Sequence, residues 1–331
     1  MAQSHRLDAL SLPTQPAARP RIGAYLVLFA GVLMAASASI LIRQAQQLGM
    51  PSPLIAALRL GFAALVLLPI ALLRARAELR QLSGRELGLG IGAGAFLGAH
   101  FFSWILSLEY TSVASSVAMV TTSPLWLALA AWLMRERLSP LIWVGIFFTM
   151  LGSVVIGFSD SSGSNGSNAL LGDALALLGA IAIAGYFLIG RTLQRRLSTL
   201  AYVWLVYTSA AVFLAIAALA AGDAGNHAGA GSLARLNIVT ILGYPLLAYL
   251  LTLGLALGPQ LLGHTALNWS LRHLSPTFVA VATLGEPIGS ALLALLIFGQ
   301  QFQPLQLLGF VVLLVGILIA VRGEQRIEDG G

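Results

Sequence analysis

The chain has 331 residues, of which 58% are hydrophobic and only 9% are charged, whereas a soluble domain has about 25% charged residues. So few charges could not cover the surface of a water-soluble protein of this length, and the composition therefore indicates an integral membrane protein. The chain contains neither cysteine nor lysine, which excludes disulfides, thiolate metal sites and the lysine-containing phosphate-binding loop of ATP-driven proteins.

Apolar residues cluster in segments of about 20, the length of an α-helix that crosses a hydrocarbon core of about 30 Å. Ten membrane spans are predicted in chain order, at residues 22–42, 54–73, 87–108, 113–133, 141–158, 170–190, 200–221, 249–271, 277–297 and 305–321. The polar residues 1–21 are expected to form a disordered cytoplasmic tail, and residues 323–331 a second cytoplasmic tail. Residues 159–169 are expected to be a flexible periplasmic or extracellular linker. Residues 238–248 are too short for a further span and could be interfacial, re-entrant or part of the eighth span.

The 18 basic residues are all arginine, and the net charge of the chain is +6. If the N-terminus is cytoplasmic, the outside loops hold only Arg43 and Arg235, while Arg59 lies within the second span. The inside segments hold the others: Arg6, Arg19, Arg21, Arg74, Arg76, Arg80, Arg85, Arg135, Arg137, Arg191, Arg195, Arg196, Arg272, Arg322 and Arg326. This positive-inside bias predicts that both termini are cytoplasmic. It also makes nucleic-acid binding an unnecessary explanation of the basic charge.

The third span begins with GLGIGAGAFLG, which could be read as a dinucleotide-binding loop. The motif follows no predicted strand, however, and it lies in a membrane segment. Gly90, Gly94 and Gly98 are four residues apart, and we interpret them as one helix face that allows close approach of a neighbouring backbone.

The two halves of the chain, residues 22–158 and 170–322, resemble each other and contain five predicted spans each. The paired positions are Gly31 with Gly179, Arg43 with Arg191, His100 with His264, Pro124 with Pro287, Gly145 with Gly309 and Gly152 with Gly316. Because five is odd, two adjacent five-span units must cross the membrane in opposite senses. Inverted repeats of this kind are typical of secondary transporters, in which the substrate site lies near the membrane midplane where the repeats meet.

The segments that carry a family resemblance are YTSVASSVAMVTTSPLWLALAAWLMRERLSPLIWVGIFFTMLGSVVIG and LRHLSPTFVAVATLGEPIGSALLALLIFGQQFQPLQLLGFVVLLVGILIA. In order and spacing, residues 22–322 resemble the EamA-type members of the drug/metabolite transporter superfamily. The turns depart from the family pattern, since MRERL lacks a glycine and FGQQFQP lacks an acidic residue. The resemblance implies an all-α membrane protein of ten helices in two inverted five-helix repeats. It also implies a central cavity lined by spans 1, 3, 4, 6, 8 and 9, in a family that includes exporters of amino acids and other metabolites.

The ninth span, TLGEPIGSALLALLI, carries a glutamate and a proline in an otherwise apolar run. An ionisable side chain within a span costs at least about 2.5 kcal/mol, so Glu286 is expected to face a cavity or a partner. Pro287 removes a backbone donor, which frees the carbonyl of Thr283 and favours a kink. These features predict a site for a cation, an amine or a proton. The alternative is that Glu286 pairs with Arg59 and only locks helices together.

The fourth span has an uncharged counterpart of this site, with Ser123 in place of the glutamate, Pro124 as the expected kink and Trp126 just beyond it. One half therefore has a charge that the other half lacks, as a site for one substrate or one proton would require. Serine also serves close packing in membrane helices, so a structural role for Ser123 stays open.

Two further spans carry histidines. His100 and Trp104 follow helical spacing in the third span, and Gln260, His264 and Asn268 follow it in the eighth span. A solvated histidine titrates near pH 6.5, so these residues could carry protons, or they could only form interhelical hydrogen bonds.

Aromatic residues lie on the spans that the resemblance assigns to the cavity. Trp104, Trp126, Tyr186 and Trp269 would suit a flat, partly apolar substrate such as an aromatic or branched amino acid. Arg59, a third of the way into the second span, could bind a substrate carboxylate, pair with the ninth-span carboxylate or extend towards the outer surface.

We therefore expect a secondary transporter, an exporter of a small amphipathic metabolite, that works by alternating access. A passive channel is the alternative, as is an intramembrane enzyme using His100, His264 and Glu286, but HExxH, GxSxG and clustered aspartates are absent from the sequence. We expect no cofactor and no metal, with the proton as candidate coupling ion. One chain contains both repeats, so a monomer in the plasma membrane (the inner membrane of a bacterium) is expected to be functional.

Overall fold

The computed structural model of the chain describes residues 22–110, 116, 119–120, 122–136, 138–159, 168–224, 242–298 and 304–329. These residues form helices and no β-strand. The helices are α1 (Ile22–Ala36), α2 (Ala38–Gln47), α3 (Ser52–Arg74), α4 (Arg76–Arg80), α5 (Gly84–Tyr110), α6 (Ser123–Leu133), α7 (Pro140–Ser159), α8 (Ala169–Gln194), α9 (Thr199–Ala224), α10 (Leu246–Leu255), a π-helix (Ala256–His264), α11 (Thr265–Ser270), α12 (Pro276–Thr283), α13 (Glu286–Phe298) and α14 (Pro304–Asp329).

Six helical stretches within the described residues are long and apolar enough to cross a membrane. They are Ile22–Gln47, Ser52–Arg74, Gly84–Tyr110, Leu170–Gln194, Thr199–Leu219 and Leu246–Ser270. Three shorter apolar helices, Ser123–Leu133, Pro140–Gly152 and Leu307–Gly323, are also present. The chain is thus an all-helical, multi-pass membrane protein, while ten spans and the sidedness of the termini stay predictions.

Two predicted spans are not continuous helices. In the predicted span 277–297, α12 ends before a turn at Leu284 and Gly285, and α13 then begins. In the predicted span 113–133, Thr122 forms a turn immediately before α6. The apolar composition of each segment concealed these breaks because hydropathy reports membrane burial and not backbone continuity.

The predicted tails and linkers fall partly outside the described residues. The tail at residues 1–21 and the linker residues 160–167 are not described, whereas Asn168 caps α8 by accepting a hydrogen bond from the Leu171 N–H. Residues 242–245 are non-helical, and 246–248 belong to α10. α14 extends past the predicted end of the tenth span, so it includes most of the second predicted tail.

Glycines set the closest helix contacts. A Cβ on Gly145 would lie 2.9 Å from the carbonyl oxygen of Gly316, and one on Gly152 would lie 2.8 Å from that of Gly309. These contacts join α7 to α14, and they use the four glycines that the sequence repeat pairs. A side chain at Gly145, Gly152 or Gly316 would force the two helices apart.

Helix packing repeats with the halves exchanged. α1 packs against the π-helix and α11, and α5 packs against α8. Because the sequence repeat relates α1 to α8 and α5 to the helix containing His264, these are the same contact made twice. α3 packs on α9 and α7 packs on α14, which pairs each helix with its own counterpart. A two-fold relation between the halves produces this pattern.

Candidate functional site

Arg59 is the centre of the buried polar group. It lies on α3 among apolar residues and is only 1% exposed, so its charge needs partners within the protein. Its Nε donates a 2.8 Å hydrogen bond to Oε1 of Gln260 in the π-helix. The guanidinium carbon lies 4.1 Å from the centroid of the Phe101 ring of α5, a cation–π contact. One charge therefore joins three helices from both halves of the chain.

The two histidines contact the same aromatic ring. Phe101 meets His100 edge-on with ring centroids 4.9 Å apart, and it meets His264 at 5.2 Å. His100 Nδ1 donates to the Gly179 carbonyl at 2.9 Å, and its ring stacks on Trp104 at 6.0 Å. Arg59 interacts electrostatically with both imidazoles. The two histidines that the sequence repeat pairs therefore belong to one cluster around Phe101.

The π-helix positions Gln260 and His264. It contains Pro259, which has no N–H to donate to the preceding turn, and short π-helical segments are frequent at functional sites. The Tyr207 hydroxyl donates to the Gln260 carbonyl at 3.3 Å and shares a 3.2 Å hydrogen bond with Thr265. Gln260 and His264 therefore have π-helical and not α-helical spacing, and the α-helix resumes at α11. The proline inside the span is the sequence signal for this change.

A second hydrogen-bonded group ties α8 to α11. The Tyr186 hydroxyl donates to Asn268 Oδ1 at 2.6 Å, and Asn268 Nδ2 donates to the His264 carbonyl at 2.8 Å. Gln194 Nε2 donates to the Asn268 carbonyl, also at 2.8 Å. Tyr186 and Asn268 thus hold the helix that carries His264 in a defined orientation.

The break between α12 and α13 exposes polar groups near this cluster. Glu286 is partly buried at the first position of α13, and it interacts electrostatically with Arg59 without a recorded direct ion pair between the two residues. The Thr283 hydroxyl donates to the Ala280 carbonyl at 2.7 Å. No recorded backbone hydrogen bond joins the Thr283 carbonyl or the Glu286 N–H to the other side of the break.

The equivalent break in the first half is less polar. Ser123 is buried at the first position of α6, and Pro124 lies in the first turn, where its missing N–H leaves no helical bond unmade. Pro124 thus begins a helix instead of bending one. The indole N–H of Trp126 donates to Thr122 Oγ1 at 3.1 Å.

The structure brings together most, but not all, of the residues singled out in the sequence. The connected cluster contains Arg59, His100, Trp104, Tyr186, Gln260, His264 and Asn268, with Glu286 within electrostatic reach. Trp269 instead contacts His273, with ring centroids 4.4 Å apart. Within the described residues, Ser123, Trp126 and Thr283 form no hydrogen bond, ion pair or ring contact with the cluster. Phe101 and Tyr207 also belong to the cluster, but no signal in the sequence distinguishes them from other buried aromatic residues.

The fold and the cluster define a class of protein: a multi-pass helical membrane protein with a charged centre built from both halves of the chain. A model of the EamA-like transporter family matches residues 22–158 and 170–322. The chain therefore belongs to this family, and it is a membrane transporter for a small molecule and not an enzyme.

Two individual proteins are similar to the chain. An uncharacterized transporter of Clostridium kluyveri is 21% identical over 277 residues, which cover 80% of this chain and 82% of that protein. A protein of known crystal structure has a TM-score of 0.69 and 19% identity, with 93% of this chain and 99% of the other covered. At this identity the second comparison supports the fold alone.

Proposed function

We propose that the protein is a secondary transporter that exports a small amphipathic metabolite, such as an aromatic or branched amino acid, through a central cavity. The observation that carries the proposal is that Arg59 of the first half donates a hydrogen bond to Gln260 of the second half and lies within electrostatic reach of Glu286. A buried charge shared by two repeats is what a midplane substrate site requires. The protein would work as a monomer in the inner membrane of a bacterium.

Each part of the cluster has a proposed role. Glu286, the only one of these groups with a negative charge, would hold the amine of the substrate or a coupling proton. Phe101 and Trp104 would contact the apolar part of the substrate, since both lie against His100. His100 and His264 are further candidates for proton transfer, and their side chains lie close to the same charge.

The topology supports alternating access. We infer two inverted repeats of five spans with both termini in the cytoplasm, because the arginine distribution and the exchanged helix pairs agree with this arrangement. The breaks before α6 and α13 would let the outer parts of both helices tilt while the inner parts stay packed. Pro124 and Pro287 lie in the first turns of the helices that follow these breaks.

Carboxylate contacts between the halves lie on the face predicted to be cytoplasmic. Glu78 accepts hydrogen bonds from the Ser198 N–H and hydroxyl, the latter at 2.7 Å. Ion pairs of 2.8 Å join Arg196 to Glu86 and Arg191 to Glu136. We infer that these contacts help to close the inner face of the carrier.

The test of the proposal is counterflow in proteoliposomes loaded with single amino acids. A carrier should show saturable uptake of a labelled amino acid that is accelerated by the same compound inside. Flux that does not saturate would support a passive channel instead. Saturable flux without pH dependence would support a facilitator and would contradict a role for the proton.

A further inference from the structure

We propose that Arg59 and Gln260 form a carboxylate-binding subsite, and that this protein therefore selects zwitterionic substrates by their carboxylate as well as by their amine. The inference rests on the proposed transport function, which it makes more specific. Its basis is a group of buried nitrogen atoms in the cluster that have no hydrogen-bond partner.

The orientation of the Gln260 amide is fixed by its neighbour. Arginine carries only hydrogen-bond donors, so the oxygen of the Gln260 amide must face Arg59 Nε, at 2.8 Å. The amide nitrogen of Gln260 then points elsewhere with two donor hydrogens, and it has no partner. Arg59 Nη1 is also buried without a partner. Two adjacent side chains thus offer unused donors, and one of them carries a full positive charge.

Two more members of the cluster have the same property. The buried indole Nε1 of Trp104 and the buried Nδ1 of His264 lack partners. Three of these four atoms can only donate, and the imidazole nitrogen can donate in one tautomer. Unpaired buried polar groups cost about 1–3 kcal/mol each, so a cluster of them indicates a ligand that accepts hydrogen bonds.

The donors belong to a rigid site. Arg59 is 1% exposed and Gln260 is fully buried. Tyr207 and Thr265 hold the backbone at Gln260, and Phe101 covers one face of the guanidinium. A site with this support can hold two donors in the orientation that a planar acceptor requires.

The charge balance favours a carboxylate over a phosphate. Arg59 is the only charged residue that is fully buried among the described residues, and the nearby Glu286 reduces the net positive potential. A dianion would therefore be poorly neutralised, whereas a monoanion that also carries an ammonium group matches both charges. The carboxylate would bind to Arg59 and Gln260, and the ammonium group would face Glu286.

A matched pair of ligands tests the subsite in the purified full-length protein. L-Phenylalanine and L-phenylalaninamide share a side chain and an amine, but only the first has a carboxylate. We expect L-phenylalanine to bind at least about tenfold more tightly, measured by quenching of tryptophan fluorescence, because hydrogen bonds to a charged group are lost with the amide. Arg59→Gln should abolish this preference, and the exposed control Arg272→Gln should keep it.

The outcomes separate the subsite from the transport function. Equal binding of the two compounds, or a preference that persists in Arg59→Gln, would overturn the carboxylate subsite. A preference for L-phenylalanine in detergent without any flux in proteoliposomes would retain the subsite and reject transport of this compound. Equal flux of both compounds would support transport and reject the carboxylate subsite.

A second variant tests the subsite when neither compound binds. Gln260→Glu would place a carboxylate beside Arg59 Nε, so the protein would supply the missing acceptor itself. We expect its melting temperature to rise by about 2 °C, while Gln260→Leu lowers it. A melting temperature of Gln260→Glu below that of the unaltered protein would show that the pocket does not accept a carboxylate.

Discussion

The breaks before α6 and α13 occupy equivalent places in the two halves, yet they present different side chains. In the first half the helix after the break begins with Ser123 and Pro124, and in the second half it begins with Glu286 and Pro287. The backbone interruption is common to both, whereas the charge is confined to one. We infer that the break belongs to the shared mechanics of the repeats, and that the charge belongs to the recognition of a single substrate.

The histidine pair gives the same contrast. His100 is held by a hydrogen bond to the Gly179 carbonyl, while Nδ1 of the equivalent His264 has no partner. The second half also supplies Gln260 to the charged cluster. Repeats that pack alike have thus acquired different polar groups, and substitutions at equivalent positions can separate the packing from the chemistry.

The largest expected effect is that of Glu286→Gln on transport. The substitution keeps the size of the side chain but removes the charge that interacts with Arg59 and the proposed substrate amine. Hydrogen bonds to charged groups contribute about 1.5–3 kcal/mol, so loss of the proposed contact with the substrate amine should lower counterflow at least about tenfold. The equivalent substitution in the first half, Ser123→Ala, should change flux by less than about threefold.

Moving the charge sharpens this comparison. In the double variant Ser123→Glu with Glu286→Gln, the carboxylate lies in the half whose break makes no recorded side-chain contact with Arg59. We expect the double variant to remain inactive while monodisperse in detergent. Restored counterflow would show that the two breaks are interchangeable and would contradict a special role for the second half.

The sequence predicted the helices well because apolar composition and periodicity are local properties. The spacing of Gly90, Gly94 and Gly98 predicts a packing face, and a Cβ on Gly94 would lie 2.9 Å from the Val206 carbonyl oxygen. The contact between Arg59 and Gln260 could not be predicted, since it depends on how two helices distant in sequence are rotated.

For other parts of the site, the sequence contains only weak signals or none. Pro259 could have indicated the π-helix, but a proline also occurs in ordinary kinked helices. Phe101 and Tyr207 resemble the other aromatics of an apolar chain, and only their neighbours in space distinguish them. The span that carries Trp269 predicts a place in the cavity, whereas the position of this residue near the end of α11 places it against His273.

Alanine substitutions at equivalent glycines should lower the stability of the protein equally in the two halves. Gly152→Ala would bring a Cβ to 2.5 Å from the Leu313 nitrogen, and Gly316→Ala would bring one to 2.5 Å from the Thr149 nitrogen. We expect each substitution to destabilise the protein by about 1–3 kcal/mol, measured by thermal unfolding in detergent.

The control for this pair is Gly92→Ala, since a Cβ there would meet nothing within 4 Å. Alanine is a better helix former than glycine, so this variant should be as stable as the unaltered protein or slightly more so. Unequal effects of Gly152→Ala and Gly316→Ala would contradict a shared packing geometry in the two halves.

A smaller difference is expected between the histidines. His100→Leu removes a buried side-chain hydrogen bond to the Gly179 carbonyl, whereas His264→Leu removes a side chain whose Nδ1 has no partner. We expect His100→Leu to be less stable than His264→Leu by about 1 kcal/mol, from thermal unfolding. His100→Asn, which retains a donor near the position of Nδ1, should recover part of this loss. Equal melting temperatures of the two leucine variants would mean that the hydrogen bond does not distinguish the halves.

The smallest effect is expected where the halves meet on the predicted cytoplasmic face. The Arg191 and Glu136 side chains form a 2.8 Å ion pair, but they are 29% and 41% exposed, and exposed pairs contribute only about 0.2–1 kcal/mol. If this pair favours the closed inner face, Glu136→Gln should shift the conformational equilibrium by about twofold, since 1.4 kcal/mol corresponds to tenfold.

Counterflow measured at low and high salt checks this expectation. At low salt, Glu136→Gln should change the rate by about twofold, and at about 1 M salt the difference should vanish because the Debye length falls to about 3 Å. The control Arg322→Gln removes an exposed arginine that forms no ion pair within the described part of the chain, and it should behave like the unaltered protein at both salt concentrations. A rate change that persists at high salt would assign Glu136 a role other than the ion pair. Equal rates at both salt concentrations would mean that the inner face is held closed by helix packing alone.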